Sequence, residues 1–297
     1  MARLLLCILV GCAAAAPAAA VAQSSDWDRH WVVCRNTQRD HSMADVVAAC
    51  SALLSSRDMD DFDRAEALAN RAIAYRVQHA WRIAVADYRA ALRINPDFEW
   101  LHAGLGATYR EMGDARRAIG EYDLALRRLN TRLAETAAGP ARDDVATRLA
   151  FGYYGRGLAY AMLNDNREAL PDFRAAVRGA PDEPEMANGL CWTLAVLGET
   201  LDEARAACDT ALRLRPDYAE ALDSRALVNL RQGRFQEAWR DYDAALRLSP
   251  DATNLRYGRG IAALRLGRTA EGNADIAGAL AASPGLAATY AGYGIRP

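Results

Sequence analysis

Along most of this chain, small or aromatic apolar residues recur three or four places apart, with Arg, Asp and Glu between them. Residues 84–96, AVADYRAALRINP, show the pattern. Ala84, Tyr88 and Ala91 share one face at helical spacing, charged side chains take the other faces, and Pro96 ends the run. The same face returns at 118–130, 169–181, 204–216, 238–250 and 272–284. The closing residues, 96, 130, 181, 216, 250 and 284, are spaced 34, 51, 35, 34 and 34 apart. A second amphipathic run precedes each of these. Two helices per unit at a fixed period predict a helical solenoid, because one hairpin cannot bury its apolar face alone and stacks on the next.

The repeated small-x3-aromatic-x2-Ala-x4-Pro resembles the second helix of a tetratricopeptide repeat (TPR). Leu105-Gly106-x2-Tyr109 resembles the first helix, Arg156-Gly157-x2-Tyr160 and Arg71-Ala72-x2-Tyr75 come close, and the later copies are weaker. Six copies span about residues 65–284. The resemblance implies an all-α, right-handed superhelical solenoid of antiparallel helix pairs. It implies binding of a protein or peptide in the concave face, without naming which.

The expected organisation is a signal peptide (1–22), a divergent N-terminal helical hairpin (23–63), repeats 1–2 (64–130), an insertion (131–147), repeats 3–6 (148–284) and a C-terminal capping helix (285–297). Arg3, the apolar LLLCILV and the small-x-small Ala20-Val21-Ala22 form the leader. A rival reading is a lipoprotein box at Leu9-Val10-Gly11-Cys12, which would leave Cys12 lipidated and is the only route to a membrane. Either way the chain is expected to be exported, most simply to the periplasm. In the N-terminal hairpin Trp27, Trp31 and Cys34 share a face, and the acidic run 58–63 caps the next helix. Gly113, Gly233 and Gly267 fall at the turn between paired helices, where a left-handed residue ends a helix. Pro171 falls early in a second helix, where a missing N–H is tolerated if it lies in the first turn. Gly139-Pro140 should break the insertion into a helical extension followed by a loop. The tail 285–297 should cover the apolar face of the last repeat.

Composition narrows the function. Net charge is −2, so no overall field draws the chain to nucleic acid or anionic lipid. All 36 basic residues are Arg and none is Lys, which together with the abundant Ala points to a GC-rich bacterial genome. The TPR clamp that holds a C-terminal carboxylate through Lys and Asn is therefore absent; the repeat position concerned is Ile73, Ala107, Leu158, Thr193, Leu227 and Ile261.

Four cysteines lie outside the leader. Counted from the turn, Cys34 and Cys50 stand at equal heights on paired helices, as do Cys191 and Cys208 to within one residue. Disulfides Cys34–Cys50 and Cys191–Cys208 are expected in an oxidising compartment, the alternative being four buried thiols. A metal at His30, Cys34, His41 and Cys50 fits no usual ligand spacing, so no metal and no cofactor is expected. Arg71, Arg156, Arg225 and Arg259 each precede Asp87, Asp172, Asp241 and Asp275 by 16 residues, and the two copies without Arg also lack Asp. This predicts a structural Arg–Asp pair in each such hairpin, the alternative being a cationic ladder for an anionic ligand.

By the TPR resemblance, repeat positions 2, 5, 9, 12 and 13 line the groove. They supply Trp100, Phe151, Tyr154 and Tyr257 with Arg76, Arg110, Arg231 and Arg265, side-chain types favoured at binding hot spots. No nucleophile elbow, phosphate loop or zinc-protease motif occurs, so no catalysis is expected. The reading is a non-catalytic adaptor of the bacterial cell envelope that holds a peptide or protein. The alternative is a structural subunit that works through its convex face or its ends.

Overall fold

The computed structural model describes residues 18–297, with side chains from residue 26 on. Most of the expected leader, including Cys12, lies outside the described residues. The described residues form fifteen α-helices and no strand. The chain divides into two compact units at Pro96 and Asp97.

The first unit holds α1 (Ala18–Arg35), α2 (Met43–Leu54), α3 (Asp61–Val77) and α4 (Trp81–Ile94). Helices α1 and α2 pair, as do α3 and α4. Trp31, Cys34, Val46, Ala49, Cys50 and Leu53 form the core of the first hairpin. The acidic run begins α3 as expected: the Asp60 side chain accepts a hydrogen bond from the Asp63 N–H at 2.7 Å.

The second unit contains α5 (Glu99–Glu111), α6 (Ala115–Glu135), α7 (Pro140–Met162), α8 (Asn166–Gly179), α9 (Pro184–Leu197), α10 (Leu201–Leu214), α11 (Ala219–Arg231), α12 (Phe235–Leu248), α13 (Thr253–Arg265), α14 (Thr269–Ala282) and α15 (Leu286–Gly292). Helices α5 to α14 pair in sequence order, each hairpin packing on its neighbours. Aromatic residues of the second helices fill spaces left by glycines. A Cβ on Gly258 would stand 2.3 Å from Tyr242 Cζ, and one on Gly155 would stand 2.4 Å from Tyr122 Cζ. The turn glycines 113, 233 and 267 have φ of 82°, 71° and 77°. At the same turn His79 and Asn164 take φ of 59° and 60°, which costs a residue with a Cβ more than it costs Gly.

Three expectations change. The insertion does not loop out. Residues 131–135 prolong α6, residues 140–147 prolong α7, and only 136–139 turn between them. Val145 and Leu149 on the extended α7 bury against Leu126 and Leu129, and Arg142 donates to the carbonyl of Thr136 at 2.8 Å, closing the end of α6. The insertion contains apolar residues at helical spacing, so pairing two extended helices buries what a loop would expose. Pro171 sits in the second turn of α8; the carbonyl it leaves without a donor belongs to Arg167, which is exposed to water. The third change concerns the tail, which lies against the groove.

Candidate binding groove

Each hairpin of the repeat array is tied across at one level. Arg71, Arg156, Arg225 and Arg259 each hold their Asp through two parallel hydrogen bonds, Nε to Oδ2 and Nη2 to Oδ1, at 2.7–3.0 Å. Their Nη1 groups are also used. Arg156 reaches Asp123 at 2.6 Å, Arg225 reaches Asp209 at 2.9 Å and Arg259 reaches Asp243 at 2.9 Å, each on the preceding second helix, while Arg71 reaches the Ser51 hydroxyl at 3.0 Å. The guanidiniums are thereby satisfied by carboxylates, which supports the structural reading over a ladder for anions. The two copies without Arg are tied differently. In one, His102 Nδ1 lies 2.8 Å from Glu121 Oε2. In the other, Cys191 is bridged to Cys208, with Cα atoms 5.3 Å apart. Cys34 and Cys50 are likewise bridged, at 4.9 Å, which removes both from any metal site. The helices approach this closely at Cys191–Cys208 because Ala195, Ala204 and Ala211 around the bridge are fully buried small residues. Among the described residues no group of three or more His, Cys, Asp or Glu could hold a metal ion, and no helix is long and apolar enough to cross a membrane.

Helix α9 has 14 residues where α11 and α13 have 13. The extra residue accounts for the 35-residue spacing, and it moves the groove register by one. Thr193, expected at the groove, is fully buried, and Trp192 lines the groove instead. The turn after α9 absorbs the difference with two left-handed residues, Gly198 (φ 71°) and Thr200 (φ 44°). A Cβ at Gly198 would also meet the Arg231 guanidinium at 1.8 Å, so a larger residue there would push Arg231 off the Ala195 and Val196 carbonyls.

First helices α9, α11 and α13 lie side by side. The tail crosses them: α15 and residues 293–296 turn back from the last hairpin and settle on this face. The Tyr290 ring lies 4.9 Å from that of Tyr257, and its hydroxyl donates to the Asn254 carbonyl at 2.9 Å. Burial holds that hydroxyl well above its ordinary pKa, so it stays a donor. Tyr293 meets Trp192 edge to face at 5.6 Å. Ile295 is buried beside Leu230, Phe235 and Ile261. Arg231 Nη1 reaches the carbonyls of Ala195 (3.1 Å), Val196 (3.0 Å) and Tyr293, and Arg265 Nη2 donates to the Arg296 carbonyl at 3.1 Å. The tail thus contributes rings to pockets and main-chain carbonyls to arginines, as a bound peptide would. Beneath it remains a cavity of about 420 Å³, whose polar lining includes Asn188, Glu220, Asp223, Asn254 and Thr289. Burial pushes the Asp223 carboxyl up to about 7, against a hydrogen bond from Asn254 at 2.9 Å.

The expected groove residues do not form one cluster. Tyr257 is buried under Tyr290. Tyr154 packs edge to face on Phe173 at 5.8 Å, and burial, followed by the influence of Tyr218 and Glu185, pushes its hydroxyl up to about 12. Phe151 is 50% exposed on α7. Trp100 stacks on Phe98 at 5.9 Å, and Arg110 is half-buried on α5 with its Nη2 4.0 Å from Glu111. Arg76 is half-buried on α3, in the first unit. Sequence reasoning missed Trp192, Asn188 and Asp223. The extra residue before Cys208, visible as the 35-residue spacing, was the signal for Trp192.

Residues 154–219 and 224–287 match the family model described as tetratricopeptide repeat. Three similar solved structures illustrate the fold. YrrB, "a TPR protein with an unusual peptide-binding site", is 19% identical over 75% of this chain and 99% of that one, with TM-score 0.52. A tetratricopeptide repeat protein from Parabacteroides merdae is 17% identical over 86% and 93%, with TM-score 0.59. PilW, a type IV pilus biogenesis factor, is 16% identical over 74% and 94%, with TM-score 0.58. No curated protein matches the chain by sequence.

Proposed function

We propose that this chain, a tetratricopeptide repeat protein whose residues 154–219 and 224–287 match the family, is a non-catalytic adaptor that holds a peptide or protein segment in the face formed by α9, α11 and α13. One observation carries the reading: a peptide segment, the chain's own tail, sits on that face with rings in pockets and carbonyls on Arg231 and Arg265. Such contacts do not depend on which chain supplies the segment.

Export to the bacterial cell envelope is part of the proposal. It is supported by the apolar leader and by the pairing of all four cysteines outside it, which suits an oxidising compartment. The test is affinity capture from an envelope extract, with the full chain and with a Phe151→Ala/Trp192→Ala variant whose folding is verified by circular dichroism. Both side chains stand at least partly in solvent, so the variant is expected to fold. A partner held by the full chain and lost by the variant supports the groove. Partners retained by the variant would favour the structural-subunit alternative, working through the convex face or the ends.

A further inference from the structure

The tail fits the groove incompletely. Its two tyrosines and Ile295 are seated, but the 420 Å³ cavity beneath it is left over. The tail lines that cavity with Leu286, Thr289, Tyr290 and Tyr293 and brings no charged side chain to it; the short Thr289 hydroxyl is turned back on its own helix, donating to the Gly285 carbonyl at 3.2 Å. Opposite stand Asp223, Glu220 and Asn188, and Oδ1 of Asn188 has no hydrogen-bond partner among the described residues. The charges around the groove are therefore sorted. Carboxylates lie where the tail's helix enters, and Arg231 and Arg265 lie where the end after it leaves. A half-buried carboxylate facing a cavity favours a charged donor, and a hydrogen bond to a charged group contributes more than a neutral one.

Building on the adaptor reading, we infer that the partner is a segment with a basic, long-armed residue immediately before an aromatic-x-x-aromatic-x-aliphatic run, and that residues 286–297 are a built-in competitor lacking only that basic residue. The aromatics take the places of Tyr290 and Tyr293, the aliphatic residue takes that of Ile295, and an Arg or Lys in the place of Thr289 reaches Asp223 and Asn188 across the cavity. The tethered tail excludes weak ligands, because a covalently attached segment competes at roughly millimolar effective concentration. A segment that also pairs with Asp223 displaces it. The raised Asp223 pKa agrees with this: the docked tail offers that carboxyl no cation.

The test uses the full chain and two fluorescein-labelled 13-residue peptides: residues 285–297 unchanged, and the same peptide carrying Thr289→Arg. Binding is read by fluorescence anisotropy against the parent chain, Asp223→Asn, and a Tyr290→Ala/Tyr293→Ala chain that frees the groove. The arginine peptide is expected to bind about tenfold tighter than the unchanged one, an advantage that Asp223→Asn abolishes. Both peptides should bind the Tyr290→Ala/Tyr293→Ala chain more tightly than the parent. If both bind equally, or if the advantage survives Asp223→Asn, the basic-residue inference is overturned while the adaptor reading stands. If neither binds the Tyr290→Ala/Tyr293→Ala chain while circular dichroism shows it folded, both readings fall.

Discussion

Arg225 grips Asp241 with two parallel hydrogen bonds of 2.9 and 2.7 Å, and Asn229 adds a third to the same carboxylate at 3.0 Å. Asp241 is buried, so removing Arg225 strands a charge out of water. Arg225→Ala and Asp241→Ala should each cost about 2–4 kcal/mol in urea denaturation. The double variant should lose less than the sum, by about 1–3 kcal/mol. Additive losses would refute the pairing.

The bridge Cys191–Cys208 closes a short loop at the level where other hairpins use that ion pair. Alkylation under denaturing conditions without reductant, followed by mass spectrometry, should find no free thiol among Cys34, Cys50, Cys191 and Cys208. Replacing Cys191 and Cys208 together by Ala should cost about 3 kcal/mol of stability.

Two helical glycines should respond with opposite sign. Gly258→Ala drives a Cβ into the buried Tyr242 ring and should cost about 2–3 kcal/mol. Gly278→Ala on α14 meets nothing closer than 3.5 Å and should stabilise by about 0.5–1 kcal/mol. Thermal melting of the two variants beside the parent checks both.

Tail docking should depend on pH through Asp223. Under the tail its carboxyl titrates at about 7, and in an open, hydrated groove it would return toward the ordinary carboxylate value near 4. The docked state therefore binds the proton more tightly. Docking is strongest below about pH 4, weakens as pH rises toward 7, and levels off above. Glu220 lies on the same lining and opposes ionisation of Asp223, while Tyr290 and Tyr293, both raised by burial, stay neutral throughout. Carboxypeptidase should trim the tail faster at pH 8 than at pH 5.5, after correction for the enzyme's own profile, and Asp223→Asn should flatten the difference. A parent chain trimmed equally at both values would sink the idea.

The hairpins were legible because most carry their own evidence within one period: an aromatic in the second helix, the small residue it packs on and, in four copies, Arg and Asp 16 apart. The disulfides were legible for the same reason, since equal distance from a turn means equal height on paired helices. Trp192 was not placed correctly, because the added residue falls after it: a register counted back from Cys208 is off by one place, about 100° about the helix axis. The occupied groove was hidden for a different reason. Tyr290, Tyr293 and Ile295 belong to a seven-residue helix and the short end after it, which have no period to follow, and their partners Asn254, Tyr257 and Ile261 lie 36, 33 and 34 residues back. Only the aromatic content of so short a tail hinted that it was seated in something.

The ties at Arg71–Asp87, His102–Glu121, Arg156–Asp172, Cys191–Cys208, Arg225–Asp241 and Arg259–Asp275 each close a hairpin on itself. Under tension, such a chain gives way like a ladder whose rungs fail one by one. Five of these rungs are electrostatic and part under load. At Cys34–Cys50 and Cys191–Cys208 the covalent bridge keeps the enclosed residues out of the extended contour, so a fully stretched chain stays shorter than its residue count implies until a reductant is added.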